Sequence, residues 1–211
     1  MAIICFEGAS AVGKTTTARA IEETCGAFIV PEVNQLFARP ENEPPEWYFE
    51  RQLDRWQIAG KEIKNYELVI LDGDPFQPLW YNWAYDYAGW QKLDFMEEFY
   101  GAAIQNKMID FPRLYFILST NEAELRKRKM SDSSRQRHGF ETHLKMIAPQ
   151  RRYFEAVKTF SPGKVVFLEA ETIESNIEFI RDRALTAESD NSARSELLFG
   201  KITQWLRENR A

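Results

Sequence analysis

The sequence predicts an α/β protein, a doubly wound parallel sheet of about five strands with helices on both faces, and three observations carry that prediction. Short apolar runs alternate with longer stretches of helical period. The runs are continuous rather than alternating, as strands buried on both faces require. The first of them leads straight into a glycine-rich turn that opens a helix. At 211 residues the chain suffices for one well-buried core and is short for two, so a single domain over 1–211 is expected.

The elements follow in order. Ala2 to Phe6 is the first strand, and the first helix runs from the Gly13-Lys14 turn to Gly26, placed as a left-handed cap. Ala27 to Val30 is the second strand, and Glu46 to Asn65 is a helix with Phe49, Leu53 and Trp56 on one side. After the third strand, Leu68 to Leu71, the residues Phe76, Trp80, Trp83, Tyr87 and Trp90 fall on one face of a single helix. Such rings are ordinarily core. Here they follow a strand's carboxyl end, where open sheets bind ligands, so Trp80 and Trp83 are candidate walls for a planar substrate. Leu114 to Leu118 is the fourth strand, and Asn121 with Glu124 forms a capping box for a basic helix. Arg126, Lys127, Arg128, Lys129, Arg135 and Arg137, split by Ser131-Asp132-Ser133-Ser134, suggest a mobile lid near 126–140; a solvated basic face is the plain alternative. Val165 to Leu168 is the fifth strand. The tail near 193–210 places Leu198, Ile202, Trp205 and Leu206 on one stripe, a terminal amphipathic packing helix.

Lys plus Arg number 27 against 32 Asp plus Glu, a net charge of -5, which offers no general attraction for nucleic acid or anionic membrane. Leu68-Val69-Ile70-Leu71 is far short of the roughly 20 apolar residues a membrane span needs, and Met1-Ala2-Ile3 is no secretion signal, so a cytoplasmic protein is expected. Cys5, Cys25, His138 and His143 match no zinc spacing.

The chemistry concentrates at Gly8-Ala9-Ser10-Ala11-Val12-Gly13-Lys14-Thr15, a full G-x-x-x-x-G-K-[ST] pattern between a strand and a helix. Glycines allow successive amides to point at phosphate oxygens, so Gly8, Ala11, Val12, Gly13, Lys14, Thr15 and Thr16 are the expected cradle for ATP, with Lys14 on the β- and γ-phosphates. Thr15 and Asp72, the acid ending Glu67 to Asp72, are the expected Mg²⁺ residues, with Asp74 as a competing carboxylate. The nearest guanine-reading pattern, Asn106-Lys107-Met108-Ile109-Asp110, is one residue out of register, and no transporter ATPase signature occurs. A small-molecule kinase remains.

Several segments resemble one group of such enzymes. Phe6-Glu7-Gly8 followed by Gly13-Lys14-Thr15-Thr16 is similar to the opening of thymidylate kinases and deoxynucleoside kinases. Val30-Pro31-Glu32-Val33 resembles the deoxynucleoside kinase segment whose glutamate is the general base, with Glu32 expected on a strand beside the P-loop strand. Glu50 to Arg55 lies where that family carries a base-reading glutamine, here Gln52, and Arg135-Gln136-Arg137, preceded by Arg126 and Arg128 and followed by Glu141, resembles its arginine-rich lid. The resemblance implies Glu32, Arg135 and Arg137 in transfer, Arg126 and Arg128 on the nucleotide, and Gln52 with Arg55 beside the acceptor; the motif residues Lys14 and Asp72 complete the expected transfer set, and Glu32, Asp74, Trp80 and Trp83 the expected acceptor set. Both families place an arginine directly after the acid ending strand three, whereas this chain reads Asp72-Gly73-Asp74-Pro75. The acceptor is therefore expected to be held differently. A nucleoside or nucleotide, a non-nucleotide metabolite, and an antibiotic of the kind used by chloramphenicol phosphotransferase-like kinases stay open, as does an ATP-binding regulatory module. A homodimer is compatible with any of these.

Overall fold

All five apolar runs form strands, and all are parallel. The computed structural model describes residues 1–87, 91–131, 139–170, 172–187 and 192–211. In chain order these comprise β1 (Ala2–Gly8), α1 (Lys14–Cys25), β2 (Phe28–Val30), α2 (Val33–Leu36), α3 (Trp47–Glu62), β3 (Leu68–Asp72), α4 (Gln77–Ala84) and α5 (Leu93–Gln105). There follow β4 (Leu114–Ser119), α6 (Glu122–Ser131), α7 (Phe140–Lys145), α8 (Ile147–Phe160), β5 (Val165–Glu169), α9 (Ile173–Thr186) and α10 (Ser192–Glu208).

The sheet order is β2-β3-β1-β4-β5, with β1 at the centre. Glu32 therefore does not follow a strand adjacent to the P-loop strand, as expected from sequence; β3 lies between them. Successive strand residues serve opposite faces, which is why unbroken apolar runs are needed. Cys5, Val69, Leu71, Tyr115 and Ile117 join one core with α3, α4, α5, α8 and α10, while Ile4, Phe6, Ile70, Phe116 and Leu118 join the other with α1, α6 and α9. No helix among the described residues is long and apolar enough to cross a membrane.

Several local signals act as expected. Gly26 adopts φ 66° and returns its N–H to Glu22 O at 2.9 Å, and Glu124 N donates to Asn121 Oδ1 at 2.9 Å at the start of α6. The aromatic segment departs from the single helix expected of it. α4 ends at Ala84, because the chain turns through left-handed Asp86 and Tyr87, at φ 52° and 55°; Trp90 lies outside the described residues.

Candidate active site

The P-loop joins β1 to α1 by a turn that only its own residues tolerate. Gly8 has φ 138°, and a Cβ there would stand 2.3 Å from Leu118 O on β4. The loop therefore presses against the neighbouring strand, which aims it at the carboxyl edge of the sheet. Lys14 Nζ donates to Gly8 O at 2.8 Å, curling over the loop. Thr15 Oγ1 donates to Asp72 Oδ2 at 2.7 Å, tying the loop to the end of β3. The other oxygen, Asp72 Oδ1, is buried with no hydrogen-bond partner. An unmet buried acceptor costs on the order of 1–3 kcal/mol, so the arrangement awaits a donor or a cation. A hydroxyl beside a carboxylate is the hard-oxygen chemistry Mg²⁺ prefers, and these two residues are the ones that would hold it. No cluster of three or more His, Cys, Asp or Glu suited to a metal occurs among the described residues. Phosphate and water oxygens would have to complete the shell, the usual habit of Mg²⁺ at nucleotides.

One cleft of about 1650 Å³ runs along the carboxyl ends of the strands. It is lined by the P-loop, Glu32, Gln52, Arg55, Asp72, Trp80, Arg128 and His143, so the structure brings most of the sequence-predicted residues together. Thr16 and Gly13 line it as well. Glu32 lies just after β2, before the first turn of α2, and its carboxylate makes no capping hydrogen bond. It lines the cleft beside Gly73, where a Cβ would meet Glu32 Cγ at 3.8 Å and Glu7 Oε1 at 3.9 Å, ordinary contact distances.

Arg55 lines the cleft as expected, but its guanidinium is spent on the protein itself. It is 1% exposed and rises from α3 to donate from Nε to Pro31 O at 2.7 Å, from Nη1 to Gln52 Oε1 at 2.6 Å, and from Nη2 to Asp72 O and Gly73 O at 2.8 and 3.1 Å. Its charge is thus absorbed in clamping the ends of β2 and β3. The same bond fixes Gln52, whose carbonyl faces Arg55, so its amide N–H₂ is the group left for a ligand.

Glu7, outside the candidate set, is another organiser. Its buried carboxylate accepts from Asp74 N at 2.7 Å, Gln150 Nε2 at 2.8 Å and Gly8 N at 3.2 Å, binding β1, β3 and α8 together under the loop. Burial raises its pKa, against the nearby Lys14 charge. His143, also missed, enters the cleft from α7; burial first, then Lys14, lowers its pKa, while Glu32 opposes. The sequence signals neither beyond position, since both act through contacts between distant elements.

Three expected site residues lie elsewhere. Asp74 turns inward, accepting from Phe76 N at 3.0 Å and Tyr115 Oη at 3.0 Å, because the tight Gly73 turn aims it into the core rather than the cleft. Trp83 faces α10, since α4 presents Trp80 to the cleft and the turn of the helix carries Trp83 away. Arg126 pairs with Glu122 and Glu141 on the solvent side of α6, with Glu141 oxygens at 2.7 and 2.9 Å. Arg135 and Arg137 lie outside the described residues.

Two expected outcomes follow from this placement. Asp74 is raised from 3.8 to about 7, chiefly by burial and next by Glu7. A native pKa above the unfolded one favours folding at low pH and loses that contribution as pH rises toward 7. Asp74→Asn, which can still accept both bonds, is expected to gain Tm relative to the parent between pH 4 and 7 and hold that gain above 7; parallel Tm–pH curves would count against the buried-carboxyl account. On α6, Arg128 Nη1 donates to Val12 O at 2.8 Å and Nη2 to Ala170 O at 3.0 Å, bracing the P-loop against the end of β5. Arg128→Ala is expected to weaken the nucleotide-induced thermal shift, and Arg126→Ala to leave it unchanged; equal effects would contradict the separation seen here.

The architecture has known counterparts. The deoxyadenosine kinase from M. mycoides with bound dATP matches at a TM-score of 0.56 and 19% identity, over 87% of this chain and 98% of that one. The fold is that of the P-loop kinases. The same enzyme with products dCMP and a flexible dCDP bound matches at TM-score 0.53, 18% identity and 86% and 97% coverage. Thymidylate kinase from Candida albicans matches this P-loop kinase fold at TM-score 0.57 and 12% identity, over 86% of this chain and 89% of that one. No protein-family model and no curated protein matches the sequence.

Proposed function

We propose that the protein is an ATP- and Mg²⁺-dependent phosphotransferase that moves the γ-phosphoryl group to a hydroxyl of an uncharged, flat acceptor of nucleoside type. The observation that carries this reading is the open Asp72 Oδ1 beside Thr15, in one cleft with Lys14 and Glu32. In this scheme Lys14 leaves its loop carbonyls for the β- and γ-phosphates, and Glu32 takes the hydroxyl proton as the acceptor oxygen bonds to phosphorus and ADP departs. Bound Mg²⁺ would neutralise charge on the phosphate oxygens.

Charge supports a hydroxyl over a phosphate acceptor. Arg55 is committed to three backbone carbonyls and Gln52, and Arg39 pairs with Glu43, while Glu7, Glu32 and Asp72 surround the transfer point. A phosphate dianion among those carboxylates would be repelled. Trp80, Tyr48 and Tyr81 supply ring surfaces on that side, and Gln52 a hydrogen-bond donor. Of the two kinase neighbours, one is named for a nucleoside acceptor, deoxyadenosine, and the other for a nucleotide, thymidylate. A screen with labelled ATP, with and without Mg²⁺, against nucleosides, nucleoside monophosphates and neutral metabolites tests the reading. Metal-dependent label on a nucleoside is expected. Label on monophosphates alone would overturn the hydroxyl assignment, and ATP binding with no transfer to any acceptor would leave a binding module.

A further inference from the structure

We propose that the last residues of the chain position the acceptor wall of the cleft, with Trp83 as the positioning residue through which they act. The acceptor wall is α4, which carries Gln77, Trp80, Tyr81 and Asn82 into the cleft. It has eight residues, and a helix that short gains little order from its own hydrogen bonds. Nor is it continued, since Asp86 and Tyr87 leave it in left-handed conformations. On its cleft side Gln77 Oε1 accepts from Tyr48 Oη at 2.9 Å, while Trp80 Nε1 and Asn82 Oδ1 are both buried with no hydrogen-bond partner.

A second set of contacts holds its back. Trp83 is 2% exposed and donates from Nε1 to Asn209 O at 2.8 Å. Its ring lies 5.0 Å from that of Trp205 on α10, and the Arg152 guanidinium of α8 sits over it, 5.5 Å from the ring centroid. Arg152 Nη1 in turn donates to Arg210 O at 2.8 Å. One side chain of α4 is thereby gripped by the chain terminus on one side and by α8 on the other. The grip is fixed at its far end, because Arg207 pairs with Asp94 at 2.7 Å and with Glu97, and Thr203 Oγ1 donates to Glu97 Oε1 at 3.0 Å, bolting α10 to α5. Trp83 and the cleft residue Asn82 are neighbours in sequence, so a shift of the indole in its seat turns the cleft face of the helix with it.

Deletion of residues 209–211 and the substitution Trp83→Phe test this, the first removing the acceptor carbonyl and the second the N–H together with one ring of the indole. Hydrogen–deuterium exchange is read at 77–84 and at the five strands, together with KM for ATP and for deoxyadenosine as the acceptor probe. Exchange at 77–84 is expected to rise by about 10-fold or more with the strands unchanged, and KM for deoxyadenosine to rise by about 10-fold with KM for ATP and kcat held within about 2-fold. Unchanged exchange at 77–84, or a rise shared equally by the strands, would overturn the proposal, as would equal increases in both KM values. The kinetic arm rests on the phosphotransferase reading: a parent protein that phosphorylates nothing would defeat that reading, while the exchange arm would still decide the role of the terminus.

Discussion

Lys14→Ala is expected to abolish phosphoryl transfer and to remove the stabilisation that ATP with Mg²⁺ confers, while the ligand-free protein stays folded. The side chain holds only two loop carbonyls, Gly8 O at 2.8 Å and Ala9 O at 3.4 Å, and does not pack in either core. Its loss therefore costs the apo fold little, whereas a bound triphosphate would lose its only cation within the loop itself. A ligand at 100 times its dissociation constant stabilises by roughly 2.7 kcal/mol, and the matching thermal shift is the quantity to measure. A variant with the parent's ATP-induced shift and turnover would remove the phosphate-binding assignment.

Glu32→Gln comes next in size. The amide keeps the shape and hydrogen bonding but cannot accept the proton, so turnover on a hydroxyl acceptor is expected to fall by roughly 10² to 10⁴, the scale of general-base catalysis, with ATP binding intact. The geometry gives the carboxylate freedom to do this: it caps no helix and faces the side-chain-free Gly73. Near-normal turnover of the variant on a hydroxyl would sink the base assignment. Near-normal turnover on a phosphate acceptor would instead favour a nucleotide kinase, since a phosphate already carries its nucleophilic oxygen.

What the sequence disclosed depended on range. The five strands and the P-loop were legible because each is written in consecutive residues, as apolar runs and a fixed glycine spacing. The insertion of β3 between β1 and β2 was not, since strand order is a long-range property with no local mark. Arg55 was legible as a site residue but not as the clamp on Asp72 O and Gly73 O, which needs α3 folded over β3. Periodicity placed Trp83 with Trp80 on one face, yet α4 is short and its faces are divided between the cleft and α10, so the two rings part company. The basic run read as one lid because charge is visible and pairing is not: Arg128 holds the P-loop, and Arg126 is neutralised by Glu141, fifteen positions away.

The central place of β1 bears on how the molecule is made. Its residues are made before those of the other four strands, and both of its neighbours come much later: Ala2 to Phe6 pair with Leu68 to Asp72, and Ile4 to Gly8 with Leu114 to Leu118. Until residue 118 has emerged, the middle strand of the sheet has at least one edge without a partner, and pairings of such long sequence separation close slowly. Until then the nascent chain carries β1 incompletely paired, the interval in which aggregation or chaperone capture competes with folding. Substitutions that weaken β4 are accordingly expected to lower the yield of folded protein more than equally destabilising ones in β5, which pairs only with β4 at the sheet's edge.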